Sequence, residues 1–505
     1  MSDFNKNRTS FQINMGRPRK QGESGSASVK RNDDGPFCIA ILGDFSARKQ
    51  QQRHEPATVG KRRMLSVDRD NLEAVMAKLD IRLRLPMGDD GQTVIDIPIR
   101  ELDDFHPDQL YENLEVFARL RQLRNRLKNN NTFSAAVQEM QGWLVTEDKT
   151  PAPEVAKSAP DISSADLLDS VFDASRNRGA DDSSKSGSAM IDNMVRDIMA
   201  PYVEKGPDPR QEEMLAAVDQ AITAHMQFVL HHPDFQAMEA AWRQLRFLTD
   251  RIESDSQIKL YILDISRREL EEDLAQDDVS RSALYKRFAD PAPGDESWDL
   301  MLGNFRFSDR IEDILTLLQL GAVARQAGTI FMAAGSETLA GCASLAATPD
   351  VDDWDYSMKP AVAEAWTMLR EADEAAYLAL TAPGFLLRAP YGKRSSPVDA
   401  FRFEEMPEQH CHRCYLWGNA AFLKAEQLVR AFNKKGRQMT PEEEYEVGDM
   451  PLHHYSDDGE MVTKPCAEIL LTEKAGRRLL EHGLIPVWSV KNSDSIRSSD
   501  FNTLK

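Results

Sequence analysis

The sequence predicts a mixed α/β protein in which mixed sheets are flanked by helices. Two segments, Phe37–Leu42 and Ile258–Ile265, are apolar on both faces, which is typical of central strands. Between such segments lie stretches in which apolar residues recur every three or four positions, as along the buried face of a helix. With 505 residues, the chain is long enough for two or three domains.

Composition excludes several classes of function. The formal net charge of −20 argues against binding to nucleic acid, which needs clustered Lys and Arg. Five irregularly spread cysteines suit the reduced thiols of a cytoplasmic protein better than a disulfide framework. The first thirty residues are too polar for a signal peptide, and no apolar run approaches the roughly 20 residues of a membrane helix. We therefore expect a cytoplasmic protein without membrane insertion.

Residues 1–36 are predicted to form a flexible N-terminal arm that contains one strand. Within the arm, Phe11, Gln12, Ile13 and Asn14 alternate between apolar and polar, which is the period of a strand with one wet face. A lone strand is not stable, because its backbone groups need partners. It therefore docks on its own domain or adds to the sheet edge of another chain. A disordered tail with chance alternation explains the pattern equally well.

Residues 37–142 are predicted to form a small α/β domain. Phe37–Leu42 is its buried strand, a helix begins between Val67 and Leu72, and Thr93–Ile99 is a second strand. Asp103 and Asp104 suit the positive end of a following helix better than acid–base chemistry. That helix is expected to be long and to bury one stripe, made of Leu110, Leu114, Phe117, Leu120, Leu123 and Leu127.

Residues 143–190 are predicted to be a linker that includes a short amphipathic helix. The first part contains three prolines and favours an extended chain. Residues 164–175 place Leu167, Leu168, Val171 and Phe172 on one stripe. A helix of three turns is marginal alone, so this stripe is expected to need a partner, either another protein or its own domain.

Residues 191–505 are predicted to form a larger α/β domain. Its strongest helix signal is the stretch from His231 to Leu248, where Phe235, Met238, Trp242 and Leu245 share one face and Pro233 suits the first turn. Two helices are expected before Leu230. The other expected elements are the strands Ile258–Ile265 and Thr329–Ala334 and the helices near Leu270–Leu274, Arg281–Phe288 and Trp366–Leu380.

One cluster has the composition of a metal site. Cys411 and Cys414 form a C-x-x-C pair beside His410 and His412, which suits tetrahedral zinc. However, no second pair stands at finger spacing, so we predict no metal and no cofactor. Sequence signatures of phosphate-binding loops, nucleophile elbows and metalloprotease helices are also missing. We predict that the chain is not an enzyme, and a zinc-binding enzyme is the least favoured alternative.

Several long blocks resemble a known family. HHPDFQAMEAAWRQLRFLTDR, LLRAPYGKRSSPVDAFRFEE, YLWGNAAFLKA and ILLTEKAGRRLLEHGLIPVWSVKNSD are similar, in this order, to the large subunit (TssC) of the type VI secretion contractile sheath. FCIAILGDFS, VDRDNLEAVM and LDDFHPDQL resemble the small subunit (TssB) of the same sheath. The first likeness covers about residues 160–495 and the second about residues 10–142. The chain therefore resembles a fusion of the two subunits.

This resemblance implies a contractile, phage-tail-like sheath fold and a non-catalytic, structural function. The implied partners are sheath small and large subunits, with baseplate proteins, the inner tube and an AAA+ recycling unfoldase as further possibilities. The unfoldase would bind the helix with Leu167, Leu168, Val171 and Phe172. Phe11–Asn14 lies where the small subunit has its arm strand.

The resemblance also predicts a departure from ordinary sheath subunits. The sequence stops where large subunits continue into C-terminal strands that pair with arm strands of neighbours. We therefore expect a special position, such as a sheath end or the baseplate junction, where ordinary subunits supply the missing strands. An assembly adaptor or regulator outside the lattice is the alternative.

Overall fold

The computed structural model describes residues 35–87, 93–129, 131–145, 211–252, 257–290, 297–407, 411–439, 446–457 and 459–505. These residues divide into two compact units. Unit 1 consists of the described residues within Met1–Leu79, Met238–Ala389 and Tyr415–Lys505, and unit 2 of those within Asp80–Ala237 and Pro390–Cys414. Each unit thus combines residues from the N-terminal part of the chain (residues 1–142) with residues from the C-terminal part (residues 191–505).

The strands are numbered in chain order over the described residues. They are β1 (Phe37–Gly43), β2 (Leu65–Val67), β3 (Ile81–Met87), β4 (Thr93–Ile99), β5 (Ile258–Asp264), β6 (Leu300–Phe307), β7 (Ile330–Gly335), β8 (Leu378–Ala382), β9 (Phe385–Leu386), β10 (Trp417–Gly418), β11 (Glu446–Val447), β12 (His453–Asp457), β13 (Glu460–Lys464), β14 (Leu484–Ser489) and β15 (Ile496–Ser498).

The α-helices are numbered in the same way. They are α1 (Leu72–Leu79), α2 (Pro107–Asn113), α3 (Glu115–Lys128), α4 (Phe133–Val145), α5 (Gln211–His231), α6 (Pro233–Arg251), α7 (Arg267–Leu274), α8 (Ala283–Phe288), α9 (Ile311–Ala327), α10 (Pro360–Glu371), α11 (Ala420–Lys435) and α12 (Glu473–Glu481).

Unit 1 is built on a nine-stranded mixed sheet in the order β11-β15-β14-β8-β7-β6-β1-β5-β2. The six strands from β14 to β5 run parallel, and the edge strands are antiparallel. Cys38, Ala40 and Leu42 of β1 face a core that also contains residues of α7 to α10 and α12. Phe37 points to the other face, where its ring lies 4.9 Å from that of Phe432 in α11.

Unit 2 combines helices with a two-stranded ribbon. β3 and β4 pair antiparallel, and each alternates buried isoleucines and leucines with exposed residues. The six apolar residues predicted to be inward, from Leu110 to Leu127, are all buried. The stripe is divided between two helices, however, because Leu114 has extended backbone angles (φ −82°, ψ 132°) and lies between α2 and α3. The prediction of a single long helix was wrong at this residue.

The predicted mixed α/β fold with mixed sheets flanked by helices is confirmed. One predicted element is wrong: Trp366–Leu380 is not a single helix. The helix α10 ends at Glu371, a short 3-10 turn covers Asp373–Tyr377, and Leu378 begins the buried strand β8. Leucine and alanine favour helices locally, but pairing with β7 on one side and β14 on the other overrides that preference.

Candidate assembly site where the two sequence parts meet

The strand β1 of the N-terminal part lies inside the sheet of the C-terminal part. Its seven residues pair in parallel with β5, from Phe37 opposite Ile258 to Gly43 opposite Asp264. On its other side, Ile39 to Leu42 pair with β6. All of Phe37 to Leu42 are at most 1 % exposed. β1 is therefore hydrogen-bonded on both sides and buried on both faces, as only a central strand of a sheet is. The sheet of unit 1 thus needs both parts of the chain.

The predicted helix around Trp242 is observed as α6, and the structure buries all four of its predicted face residues, Phe235, Met238, Trp242 and Leu245. In unit 1, Trp242 Nε1 donates to the carbonyl oxygen of Phe45 at 3.1 Å, and the two rings lie 5.4 Å apart, edge to face. In unit 2, the ring of Phe235 lies 5.5 Å from that of Phe105. The helix face therefore touches the N-terminal part in both units.

A charged side chain on α6 is also buried. Glu239 is 0 % exposed and accepts from Arg388 at 2.8 Å and from Arg243 at 2.7 Å. Burial alone raises the pKa of a carboxyl group, but the two guanidinium groups outweigh it, so the pKa of Glu239 lies below its usual value. The ionised carboxylate of Glu239 therefore holds the side chain of Arg388, which lies just after the end of β9.

A second buried carboxylate, Glu269 at the start of α7, binds the loop that follows β1. Arg48 donates from Nε at 2.8 Å, and Arg62 donates from Nη2 at 2.6 Å. The backbone N–H of Glu55 adds a bond at 2.8 Å. Although burial opposes ionisation, the hydrogen bonds from Arg62 and Arg48 hold the pKa of Glu269 far below its usual range. This network joins the two parts by charge-assisted hydrogen bonds inside unit 1.

Sequence reasoning missed this network, although one signal was available. Ser266 and Glu269 form a capping box at the start of α7, in which each side chain accepts from the backbone N–H of the other residue. The S-x-x-E spacing predicts the cap. Nothing in the sequence indicates that the same carboxylate also binds Arg48 and Arg62, which are more than 200 residues away.

Two carboxylates meet at the carboxyl ends of β1 and β5. Asp264 accepts from the backbone of Phe45 at 2.9 Å and from Ser46 Oγ at 2.7 Å. Asp44 accepts from the backbone N–H groups of Arg48 and Lys49. Burial and the nearby charge of Asp264 raise the pKa of Asp44 to about 6. These bonds hold the turn after β1 in place.

The start of β1 is held by Asp299 and Arg437. Asp299 accepts from the backbone N–H of Cys38 at 2.9 Å, and it pairs with Arg437 at 2.6 Å. Arg437 also donates to the carbonyl oxygens of Gly35 and Pro36. Side chains of the C-terminal part therefore bond to the start of β1 and to the turn that follows it.

Unit 2 joins the two parts in a similar way. Arg124 of α3 pairs with Asp219 of α5 at 2.6 Å and donates to the carbonyl oxygen of Ala400 at 3.1 Å. Asp108 of α2 accepts from the backbone N–H groups of Asp399 and Ala400. Arg124 is nearly buried, so its ion pair is poorly screened by water.

Other predicted site residues fall outside the described residues. These are the arm residues Phe11, Gln12, Ile13 and Asn14, the helix residues Leu167, Leu168, Val171 and Phe172, and His410. The described neighbours of His410 form a turn: residues His412–Cys414 are a short 3-10 helix, in which Cys414 is 8 % exposed. Across the described ranges, no group of three or more His, Cys, Asp or Glu side chains is arranged to hold a metal ion.

Among the described helices, none is both long enough and apolar enough to span a membrane.

Comparison with known proteins gives two family matches that follow the two sequence parts. Residues 24–144 match the model described as "Type VI secretion system, VipA, VC_A0107 or Hcp2". Residues 212–504 match the model described as "EvpB/VC_A0108, tail sheath N-terminal domain". The chain is also 30 % identical, over 293 residues, to the type VI secretion system sheath protein TssC1 of Pseudomonas aeruginosa. That alignment covers 56 % of this chain and 59 % of the relative.

The second family model alone matches more than half of the chain, and the first matches the segment that supplies β1, α2 and α3. The order of the two matches is the order predicted from the sequence blocks. The chain therefore belongs to the type VI secretion sheath family, with a small-subunit domain and a large-subunit domain in one polypeptide.

Proposed function

We propose that this protein is a non-catalytic sheath subunit in which the small and large partners are permanently joined. Ordinary sheath subunits, small and large, are its partners in the cytoplasm. The observation that supports this proposal best is the position of β1, which is hydrogen-bonded to β5 and β6 over most of its length. A covalent connection raises the local concentration of one part for the other, so each chain contributes one complete body.

The proposed mode of assembly is strand exchange together with helix packing. Phe11–Asn14 is the segment proposed to add to the sheet edge of a neighbour, because its alternating pattern suits an added strand. A special position, such as a sheath end or the baseplate junction, is part of the same proposal. There, ordinary subunits would supply the strands that pair with this protein, and baseplate proteins and the inner tube would be its neighbours.

Fluorescence imaging of cells that carry a tagged copy tests the position. We expect foci at sheath ends. Continuous labelling along the full sheath at full stoichiometry would contradict the special position but not the structural role. Diffuse signal that never joins a sheath would favour an adaptor or regulator outside the lattice instead.

A paired variant tests strand exchange. Phe11→Asp and Ile13→Asp together place charges on the apolar face of the arm, so they should abolish incorporation into sheaths while leaving the folded body intact. Gln12→Asp, on the polar face, is the matched control and should incorporate normally. If the double variant assembles as well as the control, the arm does not supply the strand that pairs with a neighbouring subunit.

The helix with Leu167, Leu168, Val171 and Phe172 is the proposed contact for an AAA+ unfoldase, since its apolar stripe is too short to be stable alone. Binding of a peptide covering residues 160–178 to the purified unfoldase, measured by fluorescence anisotropy, tests it. Leu168→Asp with Phe172→Asp should abolish binding. A peptide that binds no unfoldase would remove this partner from the proposal.

A further inference from the structure

The turn at Cys411–Cys414 brings two cysteines together in unit 2. The backbone N–H of Cys414 donates to the carbonyl oxygen of Cys411 at 3.0 Å, which closes a tight turn. In such a turn the first and fourth α-carbons lie within about 7 Å of each other. Disulfides span α-carbon separations of about 4.4–6.8 Å. The backbone therefore already holds the two residues near the separation that a disulfide requires.

The two thiols differ in their exposure to solvent. Burial, together with the nearby thiol of Cys411, raises the pKa of Cys414. Cys411 is half-buried, whereas Cys414 is almost fully covered. A small reagent can thus reach Cys411 first, and Cys414 stands behind it as the second thiol.

The remaining cysteines lie in different surroundings. Cys38 Sγ donates to Pro36 O, Cys466 Sγ donates to Ser493 O, and Cys342 Sγ lies 3.5 Å from Thr348 Oγ1. All three are buried. Within the ranges that the structure describes, Cys411 and Cys414 are therefore the cysteines placed to react with each other.

We propose that Cys411 and Cys414 are a redox modification site, at which a low-molecular-weight disulfide such as oxidised glutathione converts the two thiols into an intramolecular disulfide. The Cys411 thiolate attacks one sulfur of the reagent, whose S–S bond breaks and releases one thiolate. Cys414, after losing its proton, attacks the Cys411 sulfur of the mixed disulfide and releases the second thiolate. The protein loses two electrons and two protons, and the two released thiolates take up those protons, giving two molecules of reduced thiol.

Oxidation would constrain a turn that is hydrogen-bonded to the helix α6. Gln236 Nε2, near the start of α6, donates to the carbonyl oxygen of Arg413 at 3.1 Å. A disulfide across residues 411–414 restricts the backbone on both sides of Arg413. In a reducing cytosol the pair stays as thiols, so the modification reports oxidation of the glutathione pool.

Alkylation of the full-length protein after equilibration in mixtures of reduced and oxidised glutathione tests the site. Peptide mass spectrometry should find Cys411 and Cys414 protected together in oxidising mixtures, with a loss of about 2 Da from the peptide, and alkylated in reducing ones. Cys466→Ser is the matched control and should keep this behaviour. Cys411→Ala should leave Cys414 free of any intramolecular bond.

Three outcomes would overturn the proposal. The first is alkylation of both cysteines at every glutathione ratio. The second is a glutathione adduct on Cys411 that Cys414 never displaces. The third is protection that appears only when zinc alone is added, with the zinc mass retained in native mass spectrometry. Circular dichroism checks that the Cys411→Ala and Cys414→Ala variants are folded, so that a loss of protection is not due to unfolding.

Discussion

Glu269 is a buried carboxylate that meets guanidinium groups from two positions of the N-terminal part. Its oxygens also accept from the backbone N–H groups of Glu55 and Ser266. Its charge is the main counter-charge of Arg48 and Arg62, so removing that charge leaves both guanidinium groups without it. Loss of one partner from a buried ion pair costs more than the pair contributes, since the remaining charge has lost its water. Stability at this residue therefore depends on both parts of the chain at once.

Glu269→Gln is expected to lower the free energy of unfolding by about 3–5 kcal/mol, for this reason. The urea midpoint of the purified protein is the measurement. The control is Glu272→Gln, one turn further along α7. Glu272 pairs with Arg268 and His54 at the surface, so this change should leave the midpoint unchanged. Equal midpoints for both variants would show that the network does not stabilise unit 1.

His225 of α5 is buried against the ring of Phe117, which lies 5.5 Å away, edge to face. Burial lowers the pKa of His225 to about 4, from a usual value near 6.5. Between these two values the unfolded chain binds a proton that the folded protein does not, so stability falls as the pH drops from about 6.5 to about 4. The slope is up to about 1.4 kcal/mol per pH unit.

His225→Leu should remove that contribution, because leucine has no proton to bind. The unfolding free energy of the wild type minus that of the variant, measured at several pH values, should fall as the pH drops from about 6.5 to about 4, by up to about 1.4 kcal/mol per pH unit. Parallel curves would mean that His225 is protonated in the folded protein and that its surroundings are wetter than its burial indicates.

At the scale of single elements, the sequence predicts best where the pattern is strong and local. β1, β4, β5 and β7 were expected within a residue or two of their observed bounds, since a run of apolar residues bounded by polar ones suits a strand. β3 was missed, although Ile81, Leu83 and Leu85 alternate with two arginines and would have supported it. β6 was missed as well.

The errors have physical causes outside the local sequence. LALTA of β8 has the composition of a helix and becomes a strand because two parallel neighbours satisfy its backbone. Leu114 interrupts a good helical stripe, yet its side chain stays buried, so the pattern of apolar residues carries no sign of the break. The pairing of Glu269 with Arg48 and Arg62 depends on the three-dimensional approach of distant segments, which periodicity does not encode.

Hydrogen exchange should rank the strands by their position in the sheet. Ile39–Leu42 of β1 are paired on both sides, so their amides should be among the slowest of unit 1, whereas the short edge strands β2 and β11 should exchange quickly. Peptide-level exchange followed by mass spectrometry measures this. Exchange of β1 as fast as that of β2 would contradict its place between β5 and β6.

At the scale of the whole molecule, each unit draws on both sequence parts, so a cut between the parts should not separate them. With a protease site placed in residues 151–160, the cleaved protein should elute from gel filtration as one species, because β1 and the Glu269 network remain in place. Ile39→Asp, which puts a charge in the middle of β1, should make the cleaved pieces separate. Separation of the wild-type pieces in native buffer would contradict a shared core.

The place of β1 in the sheet has a consequence for synthesis. Phe37–Gly43 leaves the ribosome long before both of its neighbours, β5 and β6, which come from far downstream. At typical rates of about 5–20 residues per second, this apolar segment waits for on the order of tens of seconds before a native neighbour exists. Through that interval it must be shielded by transient contacts or by a chaperone. The yield of folded protein should therefore respond to translation speed and chaperone supply more than to the final stability of the sheet.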